Sequence, residues 1–170
     1  MTERQPFSVV ESRDGYEIRD YPESRLAQVD MRASFASAGN MAFGSLIRYI
    51  SGGNTRSQRI PMTAPVLQEA SPQDTFLVSF VMPADMTDAT MPVPDDSRVH
   101  MVTVPARRMA VLGFHGGWNE RRYHEKVDSL LAALTRDNRE WHGEVAYARF
   151  DPPWKPGFLK YNEVLVELAR

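Results

Sequence analysis

The chain has 170 residues, no cysteine, and a formal net charge of −2 from 20 basic and 22 acidic side chains. That length supports one domain, or two small halves sharing a core, without disulfide staples. It leaves no thiolate metal site and no Cys nucleophile, and the charge gives no electrostatic reason to expect nucleic acid. Residues 1–10 lack the apolar core of a signal peptide, and no run reaches the ~20 apolar residues of a membrane span. The expectation is a soluble, cytoplasmic protein.

In chain order, segments 7–11 and 16–20 read as short strands around Ser12-Arg13-Asp14-Gly15, where Asp-Gly is a hairpin signal. Segment 25–32 alternates Leu26, Gln28 and Asp30 against Ala27, Val29 and Met31, which gives a strand with one apolar face. Ser34 or Ser37 suits the N-cap of a first helix, whose stripe is Phe43, Leu46, Ile47 and Ile50, widened by Met41 and Tyr49. Gly52-Gly53-Asn54 ends it. Segments 60–68 and 75–82 read as strands around the turn Ser71-Pro72-Gln73-Asp74, and 83–96 as an ordered, Pro-containing linker.

Segments 99–104 and 109–114 are the next strands, joined at Pro105. Asn119 is placed to cap a second helix, with Trp118 and Tyr123 spaced for a hydrophobic staple and a stripe of Tyr123, Val127, Leu130, Leu131 and Leu134. Asp137-Asn138 closes that helix. Segments 144–150 and 162–168 are the last strands, and the stiff loop between them carries Trp154 and Phe158. The twelve prolines sit mostly at strand ends, and the nine methionines suit either core filling or a soft apolar pocket.

The order strand, helix, strand, strand occurs twice, in pseudo-repeats of about 16–83 and 98–168. The expected fold class is α+β: duplicated βαββ units forming a distorted antiparallel β-barrel or sheet with two packed helices, in a single domain over 1–170. Two such halves would leave a cleft where they meet, a natural place for a ligand.

Motifs for chemistry are sparse. His100, His115, His124 and His142 show no HxxxH spacing, and there is no GxSxG, P-loop or GxGxxG after a strand. His115, at a strand end before a helix, is the one histidine placed to ligate iron or act as a base if it faces a cleft; the alternative is a surface loop histidine. Phe43, Leu46, Ile47 and Ile50 are core by default, although a broad stripe also suits a second, ligand-facing side. Trp154 and Phe158 either tuck onto the sheet or cover a pocket. Arg48, Lys155 and Lys160 suit the carboxylates of an amphiphilic ligand, or serve only as solubilising charge.

Several segments together resemble the SOUL family of heme-binding proteins: Tyr16-Glu17-Ile18-Arg19-Asp20-Tyr21-Pro22, Tyr49-Ile50-Ser51-Gly52-Gly53-Asn54, Ile60-Pro61-Met62-Thr63-Ala64-Pro65-Val66, Phe80-Val81-Met82-Pro83, Pro92-Val93-Pro94, Phe114-His115-Gly116-Gly117-Trp118 and Asp151-Pro152-Pro153-Trp154-Lys155-Pro156. The resemblance runs in order from about Val9 to Leu168. It implies heme or a related tetrapyrrole in a shallow apolar cleft along the first helix and the last loop. It also implies no fixed axial ligand, so no histidine inherits that role. Mapped here, the lining is Phe43, Leu46 and Ile47 with Trp154 and Phe158 opposite. Some family members carry a basic residue early in the first helix for a heme propionate. The equivalent here is the neutral Asn40, so Arg48 or Lys160 would substitute.

The main expectation is therefore a non-enzymatic carrier or buffer of heme or another tetrapyrrole. The βαββ duplication also looks like that of gyrase-inhibitor-like effector-binding domains. This gives an alternative: an effector-binding or hydrolytic domain for another small apolar molecule, with Glu163, or less well Glu144, as its acid. A third reading is an interaction module docking a partner through its Pro-rich segments.

Overall fold

The computed structural model describes residues 2–71, 75–152 and 154–169; within the first helix the side chains of Phe35, Ala36, Gly39 and Asn40 are outside the description. The turn expected at 71–74, Pro153 of the last loop and the Asn40 side chain therefore lie outside the described residues. In chain order the elements are β1 (Glu3–Arg4), β2 (Ser8–Arg13), β3 (Tyr16–Tyr21), β4 (Ser24–Arg32), α1 (Phe35–Ile50), β5 (Thr63–Ala64), β6 (Val66–Ser71), β7 (Thr75–Val81), β8 (His100–Val104), β9 (Arg107–His115), α2 (Glu120–Arg136), β10 (Trp141–Arg149), the 3₁₀ turn Gly157–Leu159, and β11 (Tyr161–Leu168). The class is α+β. The chain divides into two compact units, one of Met1–Pro6 with Glu23–Pro105 and one of Phe7–Pro22 with Ala106–Arg170.

In the first unit β6, β7, β4 and β8 form an open antiparallel array, and β1 pairs with β5 in parallel. The alternation read in β4 holds in its middle, where Ala27 and Val29 are buried and Asp30 is exposed, whereas Leu26 of the opposite face is buried as well. Helix α1 starts at Ser34, whose Oγ accepts from Ser37 N at 3.3 Å. It lays Ala38, Ala42, Leu46, Tyr49 and Ile50 onto a core with Ala27, Val29, Val78 and Phe80. Met82 and Met86 are in that core, and Met31, Met62, Met91 and Met101 pack against it. Most of the methionines thus serve one deformable core.

Past the helix, Gly53 N donates to Arg48 O at 2.8 Å, and a Cβ on Gly53 would sit 2.6 Å from that same oxygen. Only glycine fits there. The buried Asn54 side chain then replaces a strand partner for the loop. Its Nδ2 donates to Tyr49 O at 3.0 Å and Gln58 O at 2.8 Å, while its Oδ1 accepts from Arg56 N at 3.2 Å and Gln58 N at 3.0 Å. The linker 83–96 is ordered as expected: Tyr49 Oη donates to Pro92 O at 2.7 Å, and Thr55 N to Val93 O at 2.9 Å. The strand expected over 60–68 is broken. Only Thr63–Ala64 and Val66 onward pair, because Pro61 and Pro65 offer no N–H to a ladder.

In the second unit the antiparallel order is β2, β3, β9, β11, β10, again open, so neither unit closes its strands into a barrel. Gly15 turns the β2–β3 hairpin at φ 91°. Strand β10 begins at Trp141, three residues before the expected start, and its register shifts between His142 and Ala146 around Gly143 at φ 79°. That interruption hides the first part of the strand from a period-two reading. Asn119 caps α2 through Oδ1 accepting from Arg122 N at 3.1 Å. Helix α2 packs on β9 and β11 with Tyr123, Leu130, Ala133 and Leu134 buried. Tyr123 meets Phe114 and Tyr147 edge-on, at 5.2 and 5.1 Å between ring centroids.

The C-cap of α2, Asp137, ties helix to hairpin. It accepts from Tyr16 Oη at 2.7 Å and Arg136 Nε at 3.0 Å. Those bonds hold its carboxyl well below the ordinary 3.8. A carboxyl depressed on folding contributes stability that is complete above its unfolded pKa and is lost as pH falls toward the folded value. Asp137→Asn is therefore expected to flatten the fall in urea midpoint below about pH 4. An acid limb as steep as wild type would refute that assignment.

Candidate functional site

The expected site residues fall in both units: Phe43, Leu46, Ile47 and Arg48 in the first, and Trp154, Phe158, Lys160 and His115 in the second. On α1 the helix separates them by face. Leu46 is 0 % exposed, sealed in the core one turn above Ile50, so it supports the helix instead of lining an open surface. Phe43 is 37 % exposed and its inner edge packs on Phe80 at 5.5 Å. One turn on, Ile47 is half-buried against the same core. Met41 is also exposed. Arg48 reaches Ser45 Oγ at 3.3 Å and Asp96 at 3.7 Å, with its guanidinium toward solvent in the last turn, where a cation complements the helix dipole.

In the second unit the loop after β10 is pinned at its base and apolar at its tip. Asp151 accepts from Tyr161 N at 2.6 Å and Lys155 Nζ at 2.9 Å. Beyond that clamp Trp154 is 83 % and Phe158 78 % exposed, with Leu159 half in water. Lys155 is thus engaged by Asp151. Lys160 is 8 % exposed, and its ammonium lies 4.6 Å from the centroid of the Trp118 ring. Arg149, also buried, stacks over the same ring at 4.1 Å. Burial pushes the Arg149 guanidinium below its ordinary pKa. The Trp118 ring thus carries two cations. His115 is exposed, its ring 5.5 Å from that of Tyr161. Among the described residues no group of three or more His, Asp or Glu side chains is placed to hold a metal.

Glu163, the acid of the alternative reading, is 3 % exposed on β11. Its Oε2 accepts from Arg19 Nη1 at 2.9 Å and Tyr161 Oη at 2.7 Å. Arg19 also donates to Glu17 at 2.9 Å and Tyr21 Oη at 3.1 Å, and its guanidinium lies 4.0 Å over the Phe7 ring. Burial works against the Arg19 charge, but Glu163, Tyr21 and Glu17 outweigh it and hold its pKa above the ordinary value. Tyr161 is pushed up to about 12, first by burial and then by its bond to Glu163. The tyrosine crosses over Gly113 of β9, where any Cβ would collide with the phenol. Sequence reading marked Glu163 but missed Arg19, Trp118 and Arg149. The alternation in β3 that points Glu17, Arg19 and Tyr21 to one face was the available signal.

The SOUL heme-binding protein family model matches residues 2–167. This chain belongs to the SOUL heme-binding protein family. Human heme-binding protein 2 is 26 % identical to this SOUL chain over 148 residues, covering 82 % of it and 72 % of the human protein. Among solved structures, the EcmrR C-terminal domain superposes with TM-score 0.71 at 10 % identity, covering 91 % of the SOUL chain and 98 % of that domain. A hydrolase encoded by lin2189 of Listeria innocua gives 0.62 at 12 % identity, covering 94 % of each. At such identity these two likenesses speak to the SOUL fold alone. No described helix is long and apolar enough to cross a membrane.

Proposed function

We propose that this SOUL family member binds heme or a related tetrapyrrole mainly by apolar contact, as a non-enzymatic carrier or buffer. One observation carries the reading beyond family membership: large apolar side chains stay in water on firmly held backbone, Phe43 on α1 and Trp154 and Phe158 on the Asp151-clamped loop. Exposed aromatics on anchored elements favour binding, because little further ordering is needed when a flat ligand covers such a ring. A macrocycle face offers several hundred Å² of apolar surface. At about 25 cal/mol per Å², partial burial supports micromolar affinity after association costs. The Met-rich core beneath α1 lets Phe43 and Ile47 adjust to the ligand. No strong axial ligand is part of the proposal. The hydrolytic alternative is disfavoured by Glu163, whose Oε2 already takes two internal donors.

Hemin followed in the Soret region, with iron-free protoporphyrin followed by fluorescence quenching, tests this directly. Both are expected to bind one to one. Phe43→Asp, and separately Trp154→Ala with Phe158→Ala, are each expected to weaken hemin at least tenfold. Absence of saturable binding by wild type, or full affinity in both variants, overturns the reading.

A further inference from the structure

The last loop of the second unit holds its two exposed aromatics on unequal supports. Near Phe158 the backbone closes on itself and on the end of β9. Leu159 N donates to Pro156 O at 3.0 Å, Lys160 N to Gly157 O at 3.1 Å, and Gly116 N to Lys160 O at 2.9 Å. Near Trp154 the ties are Lys155 N to Pro152 O at 3.2 Å and the Lys155 ammonium to Asp151 Oδ1 at 2.9 Å. Asp151 serves both limbs, because its Oδ2 accepts from Tyr161 N at 2.6 Å where the chain enters β11. One carboxylate thus bridges ten positions of chain. The Phe150 and Tyr161 rings, 5.2 Å apart, close the base beneath it. The Asp151 side chain is 13 % exposed, so little water competes for it. Bonds to an ionised group are short and about twice as strong as neutral ones. Joining the two limbs also removes loop freedom that would otherwise be lost only when a ligand binds. These bonds bury neither aromatic ring. They contribute little to the core, and what they fix is where Trp154 and Phe158 stand in water.

We propose that Asp151 is a positioning residue for the ligand site. Through Lys155 it sets where Trp154 stands, and through Tyr161 N it sets where the limb bearing Phe158 returns to the sheet. Lys155 then acts on a ligand through the place it gives Trp154. The effect on tetrapyrrole affinity rests on the proposed function. The ordering of the loop by Asp151 does not.

Two measurements keep the clamp and its consequence apart. The first takes NMR order parameters of the backbone amides in the apo-protein. In wild type, Trp154, Lys155 and Phe158 are expected near the value of rigid backbone, about 0.85. Lys155→Met is expected to bring Trp154 and residue 155 below about 0.6 while Phe158 stays ordered, and Asp151→Ala to loosen both limbs. Lys155→Arg keeps the pair and the order. The second is a hemin titration. Asp151→Ala is expected to weaken hemin about tenfold and Lys155→Met about threefold, with the urea midpoint of Lys155→Met unchanged. Asp151→Asn keeps an oxygen for Tyr161 N but loses the charge, so it should match Lys155→Met. The double variant should lose no more than either single one, because both remove the same pair. Unchanged order parameters overturn the clamp. A loosened loop with wild-type hemin affinity overturns the positioning role. A loop that loosens as expected in a protein whose wild type binds no hemin supports the clamp and removes the tetrapyrrole. Should Asp151→Ala fail to fold, Lys155→Met and Asp151→Asn decide.

Discussion

Arg19→Met is expected to destabilise the protein by about 3–5 kcal/mol, the cost of leaving one member of a buried ion pair without its partner. Glu163 is 3 % exposed and takes its charged bond from Arg19 at 2.9 Å. Methionine keeps much of the side-chain volume and its contact with Phe7, so the loss is chiefly electrostatic. Tyr161 would remain as one neutral donor to Glu163, which is too little for a carboxylate out of water. The double variant with Glu163→Leu is expected to recover most of the loss, since replacing both charges by apolar groups of similar size is often near neutral. Urea unfolding of the two singles and the double gives the coupling energy directly. A single-variant loss below about 1 kcal/mol, as for a surface pair, would mean that water reaches Glu163.

Leu46→Ala is expected to cost about 2–5 kcal/mol, because the side chain is fully enclosed and its removal leaves a cavity. The Met-rich surroundings favour the lower half of that range, as flexible thioethers collapse into voids better than branched side chains. Hemin affinity measured well below the unfolding midpoint should change less than twofold. Phe43→Asp should show the reverse pattern, with modest stability loss and a large affinity loss. Together these variants divide α1 into a face that holds the fold and a face that meets the ligand. Equal affinity losses at positions 43 and 46 would mean that the helix opens to admit the macrocycle.

Much of this architecture was readable from period and punctuation. The β2–β3 hairpin followed from Asp14-Gly15, both helix starts from Ser34 and Asn119, and the apolar face of β4 from its alternation. Three elements were not readable, for physical reasons. The break between β5 and β6 depends on which N–H groups a ladder needs, and Pro61 and Pro65 alone do not reveal that. Strand β10 is interrupted at Gly143, so its first residues carry no clean alternation. The exposure of Phe43 follows from where the buried stripe of α1 runs, through Ala38, Ala42, Ser45, Leu46 and Tyr49: small residues carry part of it, so side-chain size alone does not mark the inner face. Among candidate site residues, composition and position found the exposed aromatics. Pairings over long separations, such as Arg19 with Glu163 or Arg149 with Trp118, are set by strand register, and no local pattern encodes them.

The Asn54 amide bears on how this protein ages. Spontaneous deamidation begins when the next residue's backbone nitrogen attacks the side-chain carbonyl carbon, which requires Thr55 N to swing free. In the fold Thr55 N is committed to Val93 O, and all four hydrogen-bonding positions of the Asn54 amide are held by backbone. The loop thus keeps the reactants apart while it is folded. If it opens long enough for the change, the resulting carboxylate would face the carbonyl oxygens of Tyr49 and Gln58, and the loop would not reclose in the same form. Chemical damage at this position is therefore a clock of local opening behind α1, slow in the intact fold and difficult to reverse once it has run.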